Sequence, residues 1–388
     1  MIRLAITLLV FISLIIYSCN PSNSSIEQPP TFATPEIVDT LLIRTQEDFA
    51  YGYRPIWQHR AYRDTSFLIF SNTTEAFLQL LVLDNHSLTY QDIITLPKNG
   101  PNGFKTDSPN FYWHNPDSIF VFPTSLNRVL LYDAKGTLVN TVDYQADIPI
   151  NFGSNAEQQG GVLLNNKFYV NTIPYANPKS IDFTQKTHVS HKLNLQESTL
   201  EVFSSYPEEL KNKFIPSSFL GGQIVQAFDS LLFINNIYSE GIDYYNLNLN
   251  TLGNINAGVS GFRHLKGLDQ PVDGTSMENI SLQIQYPMYD MMVFDPYQNL
   301  VYRFSRHLNP KYKNLSTSDI MDRMDAQDVN LIFNTLIVIS PSKEKKYYKL
   351  PYGVSFVLPT KDGLLIRATF NDLEEQDVYL KLKLSEDQ

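Results

Sequence analysis

The chain has 388 residues, a net charge of −10 and 43% hydrophobic residues. This length suits one large repeat fold or two domains, and the apolar content is that of a globular protein rather than a disordered one. The acidic balance argues against nucleic-acid partners, which require basic patches to neutralise phosphates, and the single cysteine excludes a disulfide within the chain.

Residues 1–18 have the pattern of a secretory signal peptide. Arg3 supplies a positive start, and an apolar stretch runs from Leu4 to Tyr17. This stretch is shorter than the ~20 residues that a membrane-spanning helix needs. It leads into Cys19 through the segment Leu14-Ile-Ile-Tyr-Ser-Cys19, which resembles the lipobox of bacterial lipoproteins. The resemblance implies cleavage before Cys19 and lipid attachment to it, so that Cys19 anchors the protein to a membrane.

Residues 19–38 are interpreted as a polar tether. The segment 20–34 is rich in Asn, Ser and Pro and has no periodicity, which is typical of a flexible linker. Some bacterial lipoproteins carry an acidic surface-export signal directly after the cysteine, and residues 20–24 contain no acid. We therefore expect an outer-membrane protein that faces the periplasm, with the cell surface as the alternative.

Residues 39–388 have a repeated β pattern. Tyr and Phe are abundant, at 23 and 24 residues, and short apolar runs alternate with Asn, Asp, Gly and Pro. Each of the clearest runs starts with a polar turn residue and continues as an apolar strand: Thr65–Ser71, Asp117–Phe122, Asn166–Asn171, Asp229–Ile234 and Asn299–Phe304. Further strands follow each run. Four-stranded units that recur in this way predict the blades of a β-propeller.

The units predict an all-β, six-bladed propeller, with seven blades as the alternative. Their approximate ranges are 53–98, 110–148, 160–206, 223–258, 289–352 and 355–384. The last unit lacks a fourth strand, and the spare strand Asp39–Arg44 can supply it. Such an N-terminal strand would close the ring and remove an open sheet edge.

The segment Ser316–Leu331 departs from the β pattern and predicts a helix that Ser318 caps. Acidic residues recur there every three positions: Asp319, Asp322, Asp325 and Asp328. They suggest either a calcium site or the solvated face of a short helix. The glycine and the alternating ligands of a calcium loop are missing, so we predict no metal and no cofactor.

Chemical motifs are scarce elsewhere in the chain. His188 and His191 are the only histidines with close spacing that a metal could use, but three positions along a strand would point them to opposite faces. No nucleophile elbow, phosphate-binding loop or dinucleotide fingerprint occurs. The sequence therefore predicts no catalytic residues.

Two aromatic segments, Tyr51–Trp57 and Asn110–Asn115, contain both tryptophans of the chain. Aromatic side chains beside a cation or histidine are common at binding surfaces. The residues predicted to contact a ligand or partner are Tyr53, Trp57, Tyr112, Trp113 and His114. The alternative is that these side chains pack between blades.

The lipobox, the polar tether and the repeated strands of the type Asp117-Ser-Ile-Phe-Val-Phe122 resemble the six-bladed β-propeller lipoproteins of Bacteroidota, in an uncharacterised family. The resemblance covers nearly the whole mature chain, and it depends on diffuse repeat patterning. It implies the fold and an envelope location, and it implies no catalytic residues.

Two main hypotheses about function follow. The first is a non-enzymatic envelope lipoprotein that binds a protein, peptide or glycan partner through one face of the propeller. The second is an enzyme of the lactonase or lyase type, with carboxylates and amides gathered around the central channel. A structural subunit of an outer-membrane assembly is a third possibility.

Overall fold

The computed structural model has six β-sheets that follow one another along the chain as the blades of a propeller, and it thus confirms the predicted fold. The structure describes residues 31–44, 56–62, 65–72, 76–84, 87–106, 109–124, 126–147, 150–152, 161–174, 176–216, 220–228, 230–259, 265–273, 276–326, 328–350, 353–368 and 376–384. The predicted signal peptide and Cys19 lie outside these residues. Within them, no helix is long and apolar enough to cross a membrane.

Two N-terminal strands precede the blades. They are β1 (Phe32–Ala33) and β2 (Glu36–Arg44). Blade 1 then contains β3 (Ile56–Tyr62), β4 (Thr65–Asn72), β5 (Phe77–Asp84) and β6 (Ser87–Thr95). Blade 2 contains β7 (Asn110–Asn115), β8 (Ser118–Phe122), β9 (Arg128–Tyr132) and β10 (Leu138–Asp143).

Blade 3 has an interrupted inner edge. Its strands are β11 (Ile150–Phe152), β12 (Val162–Leu164), β13 (Lys167–Pro174), β14 (His188–Asn194) and β15 (Thr199–Ser205). Both β11 and β12 pair with β13, at its two ends. The predicted range of this blade begins at residue 160 and therefore omits β11, a strand of three residues.

The remaining blades follow the predicted ranges. Blade 4 contains β16 (Gly222–Ala227), β17 (Leu231–Asn236), β18 (Gly241–Asn246) and β19 (Thr251–Asn256). Blade 5 contains β20 (Met288–Asp295), β21 (Leu300–Leu308), β22 (Ile332–Ile339) and β23 (Lys345–Leu350). Blade 6 contains β24 (Val354–Thr360), β25 (Gly363–Ala368) and β26 (Gln376–Lys383).

The N-terminal strand β2 completes blade 6, as predicted. It runs antiparallel to β26, with Glu36 opposite Lys383 and Arg44 opposite Gln376. The preceding strand β1 pairs in parallel with β23 of blade 5. Residues 32–38, which the sequence analysis assigned to the tether, therefore take part in the fold.

Burial along the strands follows their position in each blade. In blade 2, every residue of the central strand β8 after Ser118 is buried, because neighbouring blades cover both of its faces. The outer strand β10 is exposed along most of its length. This difference explains why a central strand such as β8 is continuously apolar in the sequence while an outer strand such as β10 carries polar residues.

Apolar clusters join each blade to the next around the ring. Pairs from these clusters are Leu78 and Phe111 between blades 1 and 2, Phe120 and Phe168 between blades 2 and 3, Tyr169 and Ile224 between blades 3 and 4, Phe233 and Met292 between blades 4 and 5, and Phe304 and Leu365 between blades 5 and 6. Leu68 of blade 1 belongs to the same cluster as Leu365 of blade 6. The ring is therefore closed by packing as well as by β2.

Short helices lie between the strands: α1 (Phe183–Lys186), α2 (Met277–Gln285) and α3 (Thr317–Asp325). The helix predicted after residue 316 is confirmed, but its cap is Ser316 and not Ser318. The Ser316 side chain accepts a hydrogen bond from the Asp319 amide, and Asp319 accepts one from the Ser316 amide. This reciprocal capping box places the cap of the helix two residues earlier than predicted.

Candidate functional site

The aromatic candidates from the sequence divide into buried and exposed side chains. Trp113 is 0% exposed and Tyr112 is 3% exposed, whereas His114 is exposed. Trp57 belongs to β3, but its side chain lies outside the described residues, as does Tyr53 altogether. The side chains of Tyr112 and Trp113 are thus packed in the interior, and the side chain of His114 faces solvent.

Trp113 links the inner strands of blades 1 and 2. The Gln58 amide donates to the Trp113 carbonyl at 2.6 Å, and the Trp113 amide donates to Gln58 Oε1 at 3.0 Å. The indole ring also packs against Phe67, with ring centroids 5.2 Å apart. Because β3 and β7 belong to different sheets, the buried Gln58 amide supplies hydrogen bonds that a sheet ladder would otherwise provide.

A polar group, here termed the inner-strand cluster, forms where blades 1, 2 and 3 meet. It consists of Arg60, Tyr112, His114 and the Gly161 carbonyl. Arg60 Cζ lies 4.5 Å from the Tyr112 ring centroid, and Arg60 Nη2 donates to Gly161 O at 3.2 Å. The His114 ring stacks on Tyr112 at 6.4 Å with an interplanar angle of 15°. The Leu163 amide donates to the Tyr112 hydroxyl at 3.1 Å, which fixes the ring against blade 3.

Burial and the charge of Arg60 lower the pKa of the two histidines beside it, His59 and His114. The pKa of His59 falls to about 4, mainly because burial disfavours the charged ring and secondarily because Arg60 is nearby. The same causes, in the same order, lower the pKa of His114. His59 Nε2 also lies 2.6 Å from Ser66 Oγ. Arg60 is therefore the permanent positive charge of this region.

The expectation that His188 and His191 point to opposite faces is wrong. The pairing of β14 with β15 is irregular between His188 and Ser190 and again before His191. Such a bulge inserts an extra residue and reverses the side-chain alternation. The two rings consequently approach to 5.9 Å. His191 Nδ1 lies 2.8 Å from Thr172 Oγ1, and His188 Nδ1 lies 3.0 Å from Ser205 Oγ.

Two of the four acidic residues predicted in this segment, Asp319 in α3 and Asp328 after it, accept hydrogen bonds from neighbouring groups of the protein. Asp319 belongs to the capping box, and Asp328 accepts hydrogen bonds from Arg323 at 2.8 Å and from Tyr312 at 3.1 Å. Hydrogen bonds to these carboxylates lower the pKa of both. Among the residues that the structure describes, no three His, Cys, Asp or Glu side chains form a group that could hold a metal.

A cleft of about 540 Å³ opens between blades 3 and 4. The strands β13, β14 and β15 form one side, and β16 and β18 with the turn after β18 form the other. The residues that line it include the aromatic side chains Tyr169, Phe203 and Tyr245, the amides Asn165, Gln226, Asn248 and Asn250, and the cations Lys167 and Lys192. We refer to it as the blade 3–4 cleft.

Aromatic rings from both blades meet at the blade 3–4 cleft. Phe203 contacts Tyr169 with ring centroids 5.1 Å apart and Tyr245 with centroids 5.2 Å apart, each edge to face. Tyr169 is buried, whereas Phe203 and Tyr245 are partly exposed. The rings therefore form a preformed apolar surface that a ligand can contact without reorganising the blades.

Polar groups surround these rings. Lys192 pairs with Glu201 at 2.6 Å, and this hydrogen bond raises the pKa of Lys192. Asn165 lies in the turn before β13, and Asn248 and Asn250 lie in the turn between β18 and β19. All of these amides are exposed, so donors and acceptors are available around the opening. A cleft with apolar rings inside and amides outside can bind a ligand that has both apolar faces and hydroxyl or amide groups.

Neither the blade 3–4 cleft nor Arg60 is predicted from the sequence. The lining of the cleft comes from segments about residues 164–203 and 226–252, and each aromatic residue there looks like an ordinary strand residue. Only the amides in the two turns carry a signal, and asparagine is common in turns for conformational reasons. The site follows from the packing of two blades, which local patterns do not encode.

Comparison with protein families gives one match. The sequence profile of the DUF4221 family, a domain of unknown function, matches residues 32–347. No curated protein is similar enough to match the chain.

Solved structures share the fold at low sequence identity. A DUF4221 member from Bacteroides vulgatus is 18% identical with a TM-score of 0.65, covering 90% of this chain and 97% of that one. A protein described as exported, from Bacteroides fragilis, is 10% identical with a TM-score of 0.53, covering 92% of this chain and 98% of that one. These likenesses extend over nearly the whole chain and support one propeller domain.

Proposed function

The chain belongs to the DUF4221 family, whose function is unknown, and from this premise we propose that it is a lipid-anchored envelope protein that binds a glycan non-covalently. The blade 3–4 cleft is the observation that carries the proposal. The inner-strand cluster and the buried histidines are outside this cleft. An envelope location is consistent with the exported neighbour from Bacteroides fragilis.

The chemistry of the cleft favours a glycan over an apolar ligand. Sugar rings have apolar faces that stack on aromatic side chains, and their hydroxyl groups exchange hydrogen bonds with amides and ammonium groups. The partly exposed rings of Phe203 and Tyr245 supply the first kind of contact, and the exposed amides of the two turns supply the second. Each sugar ring carries several hydroxyl groups, whereas a peptide has one backbone N–H and one C=O per residue besides its side chains, so a sugar can satisfy more of these amides at once.

On an array of bacterial glycans, wild type is expected to bind at least one glycan. The Tyr245→Ala variant is expected to lose this binding. Removing the ring deletes one stacking surface, so we expect the dissociation constant to rise at least tenfold, which corresponds to about 1.4 kcal/mol. Titration calorimetry with the glycan found on the array measures this change. The Asn248→Ala variant, which removes an exposed amide outside the packed rings, should weaken binding without changing the melting temperature.

Tyr297→Ala is the matched control, because Tyr297 is 44% exposed in the turn after β20 and lies outside the cleft. It should bind like wild type. A different outcome is that wild type binds no glycan of the array but binds extended peptides, with Tyr245→Ala abolishing the peptide binding. That result would contradict the proposed ligand class and support the proposed site. If Tyr245→Ala and Asn248→Ala bind a glycan as tightly as wild type, the site is wrong.

We also propose that Cys19 is the lipid anchor and that the periplasmic side of the outer membrane is its location. Cys19→Ala is expected to move the protein from the membrane fraction to the soluble fraction, because dual acyl chains provide most of the membrane affinity. Mass spectrometry of the N-terminal peptide should show the acyl mass on Cys19 in wild type alone. If the variant stays in the membrane fraction and wild type carries no acyl mass, Cys19 is not the lipid anchor.

A further inference from the structure

We propose that the inner-strand cluster is an anion-binding site in which Arg60 takes a carboxylate or phosphate group of a small ligand. The site is separate from the blade 3–4 cleft and goes beyond the proposed glycan binding. Its residues come from the inner strands of three blades: Arg60 from β3, Tyr112 and His114 from β7, and Gly161 just before β12. Inner strands line the propeller axis, where ligands of propellers can enter from solvent.

The guanidinium of Arg60 is held in place by neutral groups. The Tyr112 ring lies under it at 4.5 Å, and its Nη2 donates to Gly161 O at 3.2 Å. Tyr112 is itself fixed by the hydrogen bond from the Leu163 amide. These contacts orient the guanidinium and leave its Nη1 without an acceptor among the described residues. A preoriented guanidinium with open donors matches the geometry of a carboxylate or phosphate.

Arg60 has no acidic partner among the described residues, whereas Arg128 and Arg323 each have one, and it makes fewer hydrogen bonds there than Arg303 does. Arg128 pairs with Asp143 at 2.8 Å, and Arg323 pairs with Asp328 at 2.8 Å. The fully buried Arg303 has backbone and side-chain oxygens at each guanidinium nitrogen. Arg60 has only the Gly161 carbonyl among the described residues, and its buried Nε has no partner.

A partly buried cation without an acid is costly, because burial removes water that would otherwise solvate it. An incoming anion would supply the missing charge and the missing hydrogen bonds. His114 adds a second contact, since its exposed ring stacks on Tyr112 beside Arg60. The neutral state of His59, which burial and Arg60 maintain, leaves Arg60 as the charge that the anion meets.

The test compares anion binding by the full mature protein and its Arg60→Gln variant. The probes are inorganic phosphate and succinate, added at constant ionic strength, with the melting temperature and nuclear magnetic resonance shifts as readouts. Wild type should be stabilised by at least one probe and saturate, and Arg60→Gln should raise the dissociation constant at least about tenfold. Arg60→Lys should keep the charge yet bind more weakly than wild type, because it loses the bidentate fork.

Arg128→Gln is the matched control, since it removes an exposed arginine of blade 2 outside the cluster. It should respond to the probes like wild type. Stabilisation by phosphate alone assigns a phosphate group, and stabilisation by succinate alone assigns a carboxylate; both results support the site if Arg60→Gln removes them. Wild type that responds to neither probe, or an Arg60→Gln variant that is folded and responds like wild type, overturns the proposal.

Discussion

Replacing Arg303 by methionine should lower the free energy of unfolding by about 3–5 kcal/mol. Arg303 extends from β21 of blade 5 into the end of blade 4, where it is 0% exposed. Its Nε donates to Asn235 Oδ1 at 2.8 Å, and its Nη1 donates to Glu240 O at 2.8 Å and to Ala257 O at 3.0 Å. Methionine fills a similar volume but leaves these buried oxygens without donors, and this desolvation is the source of the loss.

The charge of Arg303 is stabilised by those oxygens and by an aromatic ring. Its Cζ lies 3.7 Å from the Tyr289 ring centroid. Burial lowers the pKa of Arg303 to about 10, so the guanidinium still carries its charge at neutral pH. The side chain thus joins the turn of residues 237–240, the end of β19 and the inner strand β20 through a single group.

Urea unfolding of the purified protein measures the effect, with the midpoint as the primary value. Arg306→Met is the control, because Arg306 lies three positions further along the same strand and is exposed. Its midpoint should stay close to that of wild type. Equal midpoints for Arg303→Met and Arg306→Met would contradict the role of Arg303 as the link between blades 4 and 5.

Deleting residues 32–44 is expected to lower the melting temperature by at least about 10 °C and to make the protein aggregate. The deletion removes β1 and β2 and leaves β26 as an unpaired edge. That edge carries buried residues, among them Tyr379 and Leu382. An exposed apolar strand edge is a template for pairing with other chains.

The control deletion removes residues 20–30 from the same soluble form, which starts after Cys19. It shortens only the predicted tether and should melt at the wild-type temperature. Differential scanning calorimetry and light scattering report stability and aggregation. If both deletions melt at the same temperature, β2 does not close the propeller.

Closure of the ring could be predicted because it is a matter of counting strands. The last unit offered three strands, Asp39–Arg44 offered a fourth, and an open edge is unfavourable. The strand β1 could not be predicted in the same way, since two residues carry no periodicity. Its position depends on pairing with β23 and on Phe32, whose ring centroid lies 5.1 Å from that of Phe333.

Local irregularities account for the wrong predictions. The bulge in β14 brings His188 and His191 together, and the sequence of a strand does not show where an extra residue is inserted. Ser316 lies just before the helix and Ser318 lies in its first turn, and only the pairing of Ser316 with Asp319 identifies the cap. In the inner-strand cluster, Tyr112 and His114 were identified as candidates, whereas Arg60 was missed because it comes from another blade.

Hydrogen–deuterium exchange with a bound glycan tests the central claim, recognition in the blade 3–4 cleft, most directly. We expect slower exchange in peptides that cover the turn between β12 and β13, strand β15, and the turn between β18 and β19, with no change around β7 or α3. The same protection should be absent in Tyr245→Ala at equal glycan concentration. Protection confined to other blades, together with unchanged exchange across blades 3 and 4, would contradict glycan binding in the blade 3–4 cleft.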